Sequence, residues 1–282
     1  MKRRDFLKLG ISGSILLASY PVFIERYSFQ VNHYRAAFPN LPAAFAGKRI
    51  LQLTDLHYGK LMPLWLIEYI VALANHQQAD IIICTGDYVH HNQTREQLDQ
   101  VWPVLSRLSA PLGVYSVLGN HDHWADTEVA LEWLERSGQN IRHRSQRIEV
   151  AGEAIWLGGA GDLWEDVLGV DDAFAANQPG DLKILLAHNP DTADRTFSTR
   201  LDLILSGHTH GGQVRLPLLG TPVLPVENKH YNNGFFETKN GRLFISKGLG
   251  WTNYPVRFNC PPEIAVRDKQ HAHIDSQANK CQ

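Results

Sequence analysis

An α/β fold is predicted for this chain by three features. Five apolar runs of five or six residues recur between Arg49 and Ser206, too short for helices and bounded by polar or glycine residues. Apolar residues at helical spacing fill several of the gaps, so strands and helices alternate. With 282 residues, 44% hydrophobic and 20% charged, the chain can bury a large core in one large or two small domains. In such alternating layers, ligands gather beyond the carboxyl ends of the strands. The residues just past each apolar run are therefore the place to look for chemistry.

Residues 1–26 stand apart from this pattern. Lys2-Arg3-Arg4-Asp5-Phe6-Leu7-Lys8 precedes an apolar stretch from Leu9 to Ile24, then Glu25 and Arg26. A charged segment followed by a short apolar one is the pattern of an export signal, too short for a firm membrane span. The paired arginines before Phe-Leu-Lys resemble a twin-arginine signal, which implies passage through the twin-arginine export machinery across an inner membrane. Tyr20 and Pro21 interrupt the place where a small-residue cleavage site would fall. Cleavage and retention as a membrane anchor both stay open.

From residue 27 the elements come in order. Tyr27 to Tyr34 alternates loosely and is expected to be an edge strand, with Phe38 to Pro42 as a connector. Arg49–Thr54 ends in Asp55-Leu56-His57, and Ile81–Thr85 in Gly86-Asp87. Gly113–Leu118 ends in Gly119-Asn120-His121-Asp122, and Lys183–Ala187 in His188-Asn189-Pro190. Leu201–Ser206 ends in Gly207-His208-Thr209-His210.

Leu66, Ile67, Ile70, Val71 and Ala74 share one helical face. So do Leu98, Val101, Trp102, Leu105 and Leu108, behind a capping box at Thr94 and Gln97. Pro103 should kink or divide that second helix. A third helix is expected from Asp126 as N-cap to Gly138 as its stop. Ile141–Val150 and Ala154–Gly159 read as a hairpin, and the Gly- and Pro-rich stretch from Val214 to Val266 as a second, more antiparallel sheet. Residues 268–282 read as a loose polar tail with His271 and His273 in solvent.

Composition narrows the function. A net charge of −2 gives no basic surplus, so no nucleic-acid partner is indicated. Three cysteines, Cys84, Cys260 and Cys281, are too few for a disulfide framework in a chain this long. Cys84 lies in an apolar run and reads as a small core residue, and Cys281 as a free thiol.

The five strand ends supply Asp55, His57, Asp87, Asn120, His188, His208 and His210, with His121 beside them. Any one of these could be a helix cap or a turn former. All five runs stopping at ligand-type residues point instead to metal. Oxygen and nitrogen donors without thiolate suit manganese, iron or zinc in a catalytic role better than structural zinc. The set exceeds what one ion needs, so two divalent or trivalent ions are inferred. Ions about 3.5–4 Å apart hold and acidify a shared water and polarise an oxyanion during displacement at phosphorus.

These motifs match, in order, those of the calcineurin-like metallophosphoesterases, a resemblance that spans about residues 48–266. The run Gly211-Gly-Gln-Val-Arg-Leu-Pro217, with Lys247-Gly-Leu-Gly250 and Pro255-Val-Arg-Phe258 through Glu263, resembles the exported bacterial YkuE-like subgroup. The resemblance implies a four-layer sandwich of two mixed β-sheets flanked by helices. It implies that Asp55, His57, Asp87 and His210 hold one ion, while Asp87 as the bridge, Asn120, His188 and His208 hold the other. His121, held by Asp122, is expected to face the phosphate and assist the leaving group. His90, His91 and His123 are expected at the rim. The apolar stretch Leu216–Pro225 is read as either packed on the second sheet or free to meet a substrate.

The expected activity is hydrolysis of a phosphodiester or pyrophosphate bond by attack of a metal-bridging hydroxide. The signal and the apolar loop suggest a lipid-linked or cell-envelope substrate and a membrane surface nearby. The competing readings are a phosphomonoesterase or nucleotidase, and a non-catalytic interaction protein on the same fold. A scaffold has no need of a phosphate-facing histidine such as His121.

Overall fold

A computed structural model describes residues 19–178, 180–252 and 254–271, with side chains to residue 267. Arg3, Arg4 and the first part of the apolar stretch lie outside the described residues, as do His273 and Cys281. Residues 19–23 are helical and lead into a 3-10 turn at Glu25–Tyr27. This segment is docked on the domain. Arg257 N–H donates to the Pro21 carbonyl (3.1 Å), Cys260 N–H to the Glu25 carboxylate (2.6 Å), and Glu25 and Arg26 are buried.

Among the described residues, eleven strands form two mixed sheets. The first contains β1 (Gln30–Phe38), β2 (Arg49–Leu53), β3 (Ile81–Cys84), β4 (Val114–Ser116) and β11 (Glu263–His271), in the order β1-β11-β2-β3-β4. The second contains β5 (Ser145–Val150), β6 (Glu153–Gly159), β7 (Lys183–Leu186), β8 (Leu203–Ser206), β9 (Gly234–Thr238) and β10 (Gly241–Ile245), in the order β5-β6-β7-β8-β10-β9. The expected hairpin is β5–β6, antiparallel with Val150 opposite Glu153.

Alternation along the strands builds the layers. In β3, Ile81 and Ile83 turn toward the second sheet, while Ile82 and Cys84 turn outward to helices α1 (Leu64–His76), α2 (Arg95–Leu105) and α3 (Asn120–Arg136). Between the sheets these side chains meet Leu157, Ile184, Leu186, Leu205 and Phe244. On the far side of the second sheet, Leu185, Ile204 and Leu243 pack on Val170 and Phe174. That fourth layer is thin, made of the four-residue helix α4 (Val170–Ala173), 3-10 turns and loops. Two mixed sheets with flanking helices are thus the fold.

Several local expectations need correction. The C-terminal third does not make a sheet of its own. Its β9–β10 hairpin joins the second sheet beside β8, and β11 inserts between β1 and β2 of the first. The edge strand runs to Phe38, which pairs in register with His271, so β11 continues four residues past Arg267. Pro103 neither divides nor ends α2 at once; the helix closes at Leu105, two residues later, and Thr94 caps it by accepting from Gln97 N–H as expected. Asp126 does act as an N-cap, with an extended backbone (φ −170°) and its carboxylate on Val129 N–H. The preceding turn from Asn120 joins it into one kinked element.

Candidate metal centre

The five ligand-bearing runs are β2, β3 and β4 of one sheet and β7 and β8 of the other, and their carboxyl ends converge. Parallel pairing continues past β2 and β3: Asp55 N–H donates to the Gly86 carbonyl and His57 N–H to the Asp87 carbonyl, both at 3.0 Å. The sheets approach so closely there that a Cβ on Gly207 would lie 2.1 Å from Thr54 Oγ1 and 2.3 Å from the Asp55 carboxylate. A Cβ on Gly86 would lie 2.3 Å from Gly119 N. Glycine is required at both positions for the loops to meet.

Asp55, His57, Asp87, His208 and His210 all hold positive φ, between 49° and 68°. Left-handed backbone costs a residue with a Cβ about 1–2 kcal/mol and persists only where the surroundings enforce it. Five such residues in one place mark a site whose side-chain directions outweigh local comfort.

Among the described residues, three groups of potential ligand atoms result, one of them the half-buried set His57, His90 and His121, and two of them fully buried. Of the buried two, Asp55, His57 and His210 form the first and Asp87, His188 and His208 the second. Within the first, His57 Nε2 lies 3.0 Å from His210 Nε2, and His210 Nε2 3.4 Å from Asp55 Oδ1. Within the second, His208 Nδ1 lies 3.0 Å from His188 Nε2, and His188 Nε2 3.3 Å from Asp87 Oδ2. Asp87 Oδ2 is also 3.5 Å from His57 Nε2, so this one carboxylate faces both groups. Asn120 is buried at the start of α3 with its Oδ1 lacking any protein partner.

The outer ring nitrogens fix which atom is free to ligate. His188 Nδ1 lies 2.7 Å from the Thr85 carbonyl, and His208 Nε2 lies 2.9 Å from the Pro225 carbonyl. Each outer N–H donates to a carbonyl, which turns His188 Nε2 and His208 Nδ1 inward as the atoms available to ligate. The donor set, its burial and the orphaned Asn120 oxygen fit metal ions.

Electrostatics agree. Burial lowers His57 and His210 well below the ordinary histidine range, and burial with the His188 charge takes His208 to about 3. Burial raises Asp55 to about 6. Burial also opposes ionisation of Asp87, yet His188, His121 and His57 hold its carboxyl well below the usual range. Burial would lower His188, but the Asp87 carboxylate carries it to about 10. Without ions the centre keeps three rings in the neutral, ligating form and neutralises Asp87 with the fourth.

His121 is brought to the same place. Its backbone N–H donates to Asp87 Oδ1 (2.9 Å), and its ring stands edge-on to His57 at 4.6 Å. Asp122 does not hold that ring. Its carboxylate accepts the backbone N–H groups of Asp87, Tyr88 and Gly119 at 2.8–2.9 Å, while His121 Nδ1 lies 2.9 Å from the His90 carbonyl. The reason is local: Asp122 is the third residue of a helix and turns back to cap its start. Burial and the Asp87 charge raise Asp122 to about 7.

His90 joins the rim more closely than the motif alone suggested, with its ring 5.7 Å from His121 and 5.6 Å from His57. His91 packs on His90, and His123 is buried with neither ring nitrogen partnered. Sequence reasoning missed two tryptophans. Trp124 lies against His121 (4.8 Å) and Trp164 against His208 (4.6 Å), and the two stack at 6.3 Å. The available signal was a sixth strand end, since β6 is followed by Gly161-Asp162-Leu163-Trp164. Two clefts of about 760 Å³ at the other end of the second sheet, around Asp171, Asp202 and Gly241, contain none of these residues.

Two facing ligand groups that share a carboxylate, at the joint carboxyl ends of two sheets, define the class of metal-dependent hydrolases with paired ions. Residues 48–212 match the calcineurin-like phosphoesterase family, and the chain belongs to that family. It is 35% identical over 274 residues to phosphodiesterase YaeI of Escherichia coli (strain K12), covering 94% of this chain and 98% of that one. It is 30% identical over 277 residues to the uncharacterized metallophosphoesterase YkuE of Bacillus subtilis (strain 168), covering 94% and 96%. The UDP-2,3-diacylglucosamine pyrophosphatase LpxG of Chlamydia trachomatis is 26% identical over 324 residues, covering 93% and 98%. The chain is a metal-dependent phosphoric ester hydrolase.

Proposed function

We propose that this chain hydrolyses a phosphodiester or pyrophosphate bond, with two ions held at the centre. Asp55, His57, Asp87 and His210 would hold one ion; Asp87, Asn120, His188 and His208 would hold the other. The observation that carries this reading is Asp87 Oδ2, within 3.5 Å of a ring nitrogen of each group. Manganese, iron or zinc bound there would supply Lewis acidity and would acidify a water.

The remaining steps belong to the chain. His121 Nδ1–H donates to the His90 carbonyl, which turns Nε2 away from the backbone and toward bound phosphate. In its protonated form Nε2–H donates to the departing oxygen. Asp122 is a positioning residue, clamping the Asp87, Tyr88 and Gly119 backbone so that both Asp87 and His121 stay in place. Trp124 and Trp164 wall the approach on the side of His121 and His208.

The names of YaeI and LpxG favour a phosphorus bearing two substituents, and LpxG favours a lipid or envelope compound. A location beyond the inner membrane rests on Arg3 and Arg4. Fractionation of a chain carrying Arg3→Lys and Arg4→Lys tests it: the variant stays in the cytoplasm, and unchanged export contradicts the assignment. Hydrolysis of a chromogenic diester and a chromogenic monoester by the metal-loaded protein tests the reaction. Diester turnover is expected to dominate, and turnover of the monoester alone would replace this reading with a phosphomonoesterase.

A further inference from the structure

The segment between the last metal ligand and β9 is built as an outward-facing apolar projection. Leu218 is 106% exposed, Leu219 78%, Val223 70%, and Tyr254 on the adjoining loop 75%. Scattered apolar residues on a surface are ordinary, but contiguous ones mark a contact. The projection is also closed on itself by backbone hydrogen bonds. Leu216 N–H donates to the Gly220 carbonyl (2.8 Å) and Gly220 N–H returns to Leu216 (2.9 Å), closing a tight loop around Leu218.

Leu218 sits at φ 68°, a backbone that disfavours any residue with a Cβ. At the root, Arg215 N–H donates to Phe258 (2.8 Å), and Lys229 Nζ ties down the carbonyls of Leu224 and Val226. A strained, fastened loop therefore presents leucines to the outside, where burial inside the protein gives no return.

Two neighbours say what the leucines meet. Across a cleft of about 470 Å³, Pro217 faces Tyr20, and Tyr20, Phe23 and Ile24 are themselves exposed. The eighteen residues that lead into Ser19 carry Lys2, Arg3, Arg4 and Lys8, then Leu9-Gly-Ile-Ser-Gly-Ser-Ile-Leu-Leu17, a basic stretch followed by an apolar one. That sequence suits a surface with anionic headgroups over hydrocarbon. Behind the projection, an apolar cavity of about 310 Å³ lined by Val214, Pro222, Val223, Tyr254 and Val256 reaches His210. Tyr20, the apolar projection and the cavity at His210 adjoin one another along one side of the described residues.

We infer that Leu218, Leu219 and Val223 dock into the surface of a phospholipid bilayer and hold the metal centre at the headgroup level. The cavity beside His210 then receives aliphatic material drawn from the bilayer, which rests on the phosphoesterase reading; the docking itself does not.

The test uses the full chain with Cys281→Ser and Leu218→Cys, labelled with a polarity-sensitive fluorophore; Cys84 and Cys260 are buried and escape labelling. The probe is a vesicle of phosphatidylethanolamine and phosphatidylglycerol, with and without spin-labelled lipid. Emission from position 218 should shift to shorter wavelength and be quenched by the spin label. A label placed by Glu149→Cys, near the β5–β6 turn at the remote end of the second sheet, should do neither. An unshifted label at 218 overturns the proposal. So does a label already shifted before vesicles are added, which would mean that residues 1–18 or a second copy cover the loop. Equal shifts at both positions overturn it as well. Turnover of a soluble chromogenic diester by the same labelled protein is read in parallel. Its loss with the shift intact would count against the phosphoesterase reading and leave the docking standing.

Discussion

Among the places where this molecule adopts left-handed backbone, two contrast. At Asp55, His57, Asp87, His208 and His210 it is buried beneath two converging sheets; at Leu218 it is fully in solvent. In the first place the strain is enforced by contacts that leave no alternative, such as the meeting of Gly86 with Gly119, and it aims polar atoms at a common point. In the second it is enforced by three hydrogen bonds of a short loop and aims apolar atoms away from the protein. The same backbone device thus serves an interior polar site and an exterior apolar one. What differs is how much of the fold depends on it.

Substitutions can break that contrast, and the largest effect belongs to the shared carboxylate. Asp87→Ala should lose both ions and with them hydrolysis, whereas His57→Ala should mainly weaken one. Metal content per chain decides it, and two retained equivalents in Asp87→Ala would remove its bridging role. His121→Ala comes next, with turnover falling by about 10²–10⁴ while both ions stay bound. The fall should shrink for leaving groups that are already weak bases, because they need no proton. An equal fall for every leaving group would assign His121 to charge stabilisation instead.

Gly86→Ala should destabilise the fold by about 3 kcal/mol, since φ is 94° and the new Cβ would meet backbone at 2.3 Å. Chemical denaturation reads this directly, and an unchanged midpoint would show that the loops can move apart.

The loop beneath Asp55 offers a milder, pH-dependent test. Glu263 is buried, accepts from Lys247 N–H, Asn32 and Tyr34, and pairs with Lys247 Nζ at 3.2 Å. Burial opposes its charge, but Lys247 with these donors holds its carboxyl below the ordinary value of 4.5. The unfolded chain therefore takes up the proton first on acidification. The stabilisation is present at neutral pH and fades as pH falls below 4.5 through the folded value. Glu263→Gln should cost about 1–2 kcal/mol at neutral pH and progressively less as the pH is taken below 4.5, as urea denaturation across that range would show. The smallest effect is expected at Leu218→Gly. Relief of strain in solvent should leave stability within about 1 kcal/mol of the parent, on the stabilising side.

The candidate ligands stood out in the sequence because each buried strand is a short apolar run, with Asp55, His57, Asp87, Asn120, His188, His208 and His210 at the ends. Strand and helix types were legible for the same reason. The sheet that each strand joins was not, since β11 reaches its place between β1 and β2 by pairing across more than two hundred residues, which no local period records. Asp122 was expected at the His121 ring from the family resemblance and from adjacency. A residue at the third helical position has a backbone to cap, and that nearer need prevails. Trp124 and Trp164 were missed because their role comes from meeting His121 and His208 in space.

A centre built around one shared carboxylate should need both of its ions together. Chelator-stripped protein should be titrated with manganese, iron or zinc while bound metal and chromogenic diester turnover are followed in parallel. Two equivalents should bind, with turnover at its full value only when both are present and absent in the stripped chain. Full turnover at one equivalent, or in the stripped protein, would contradict a dinuclear centre built around Asp87.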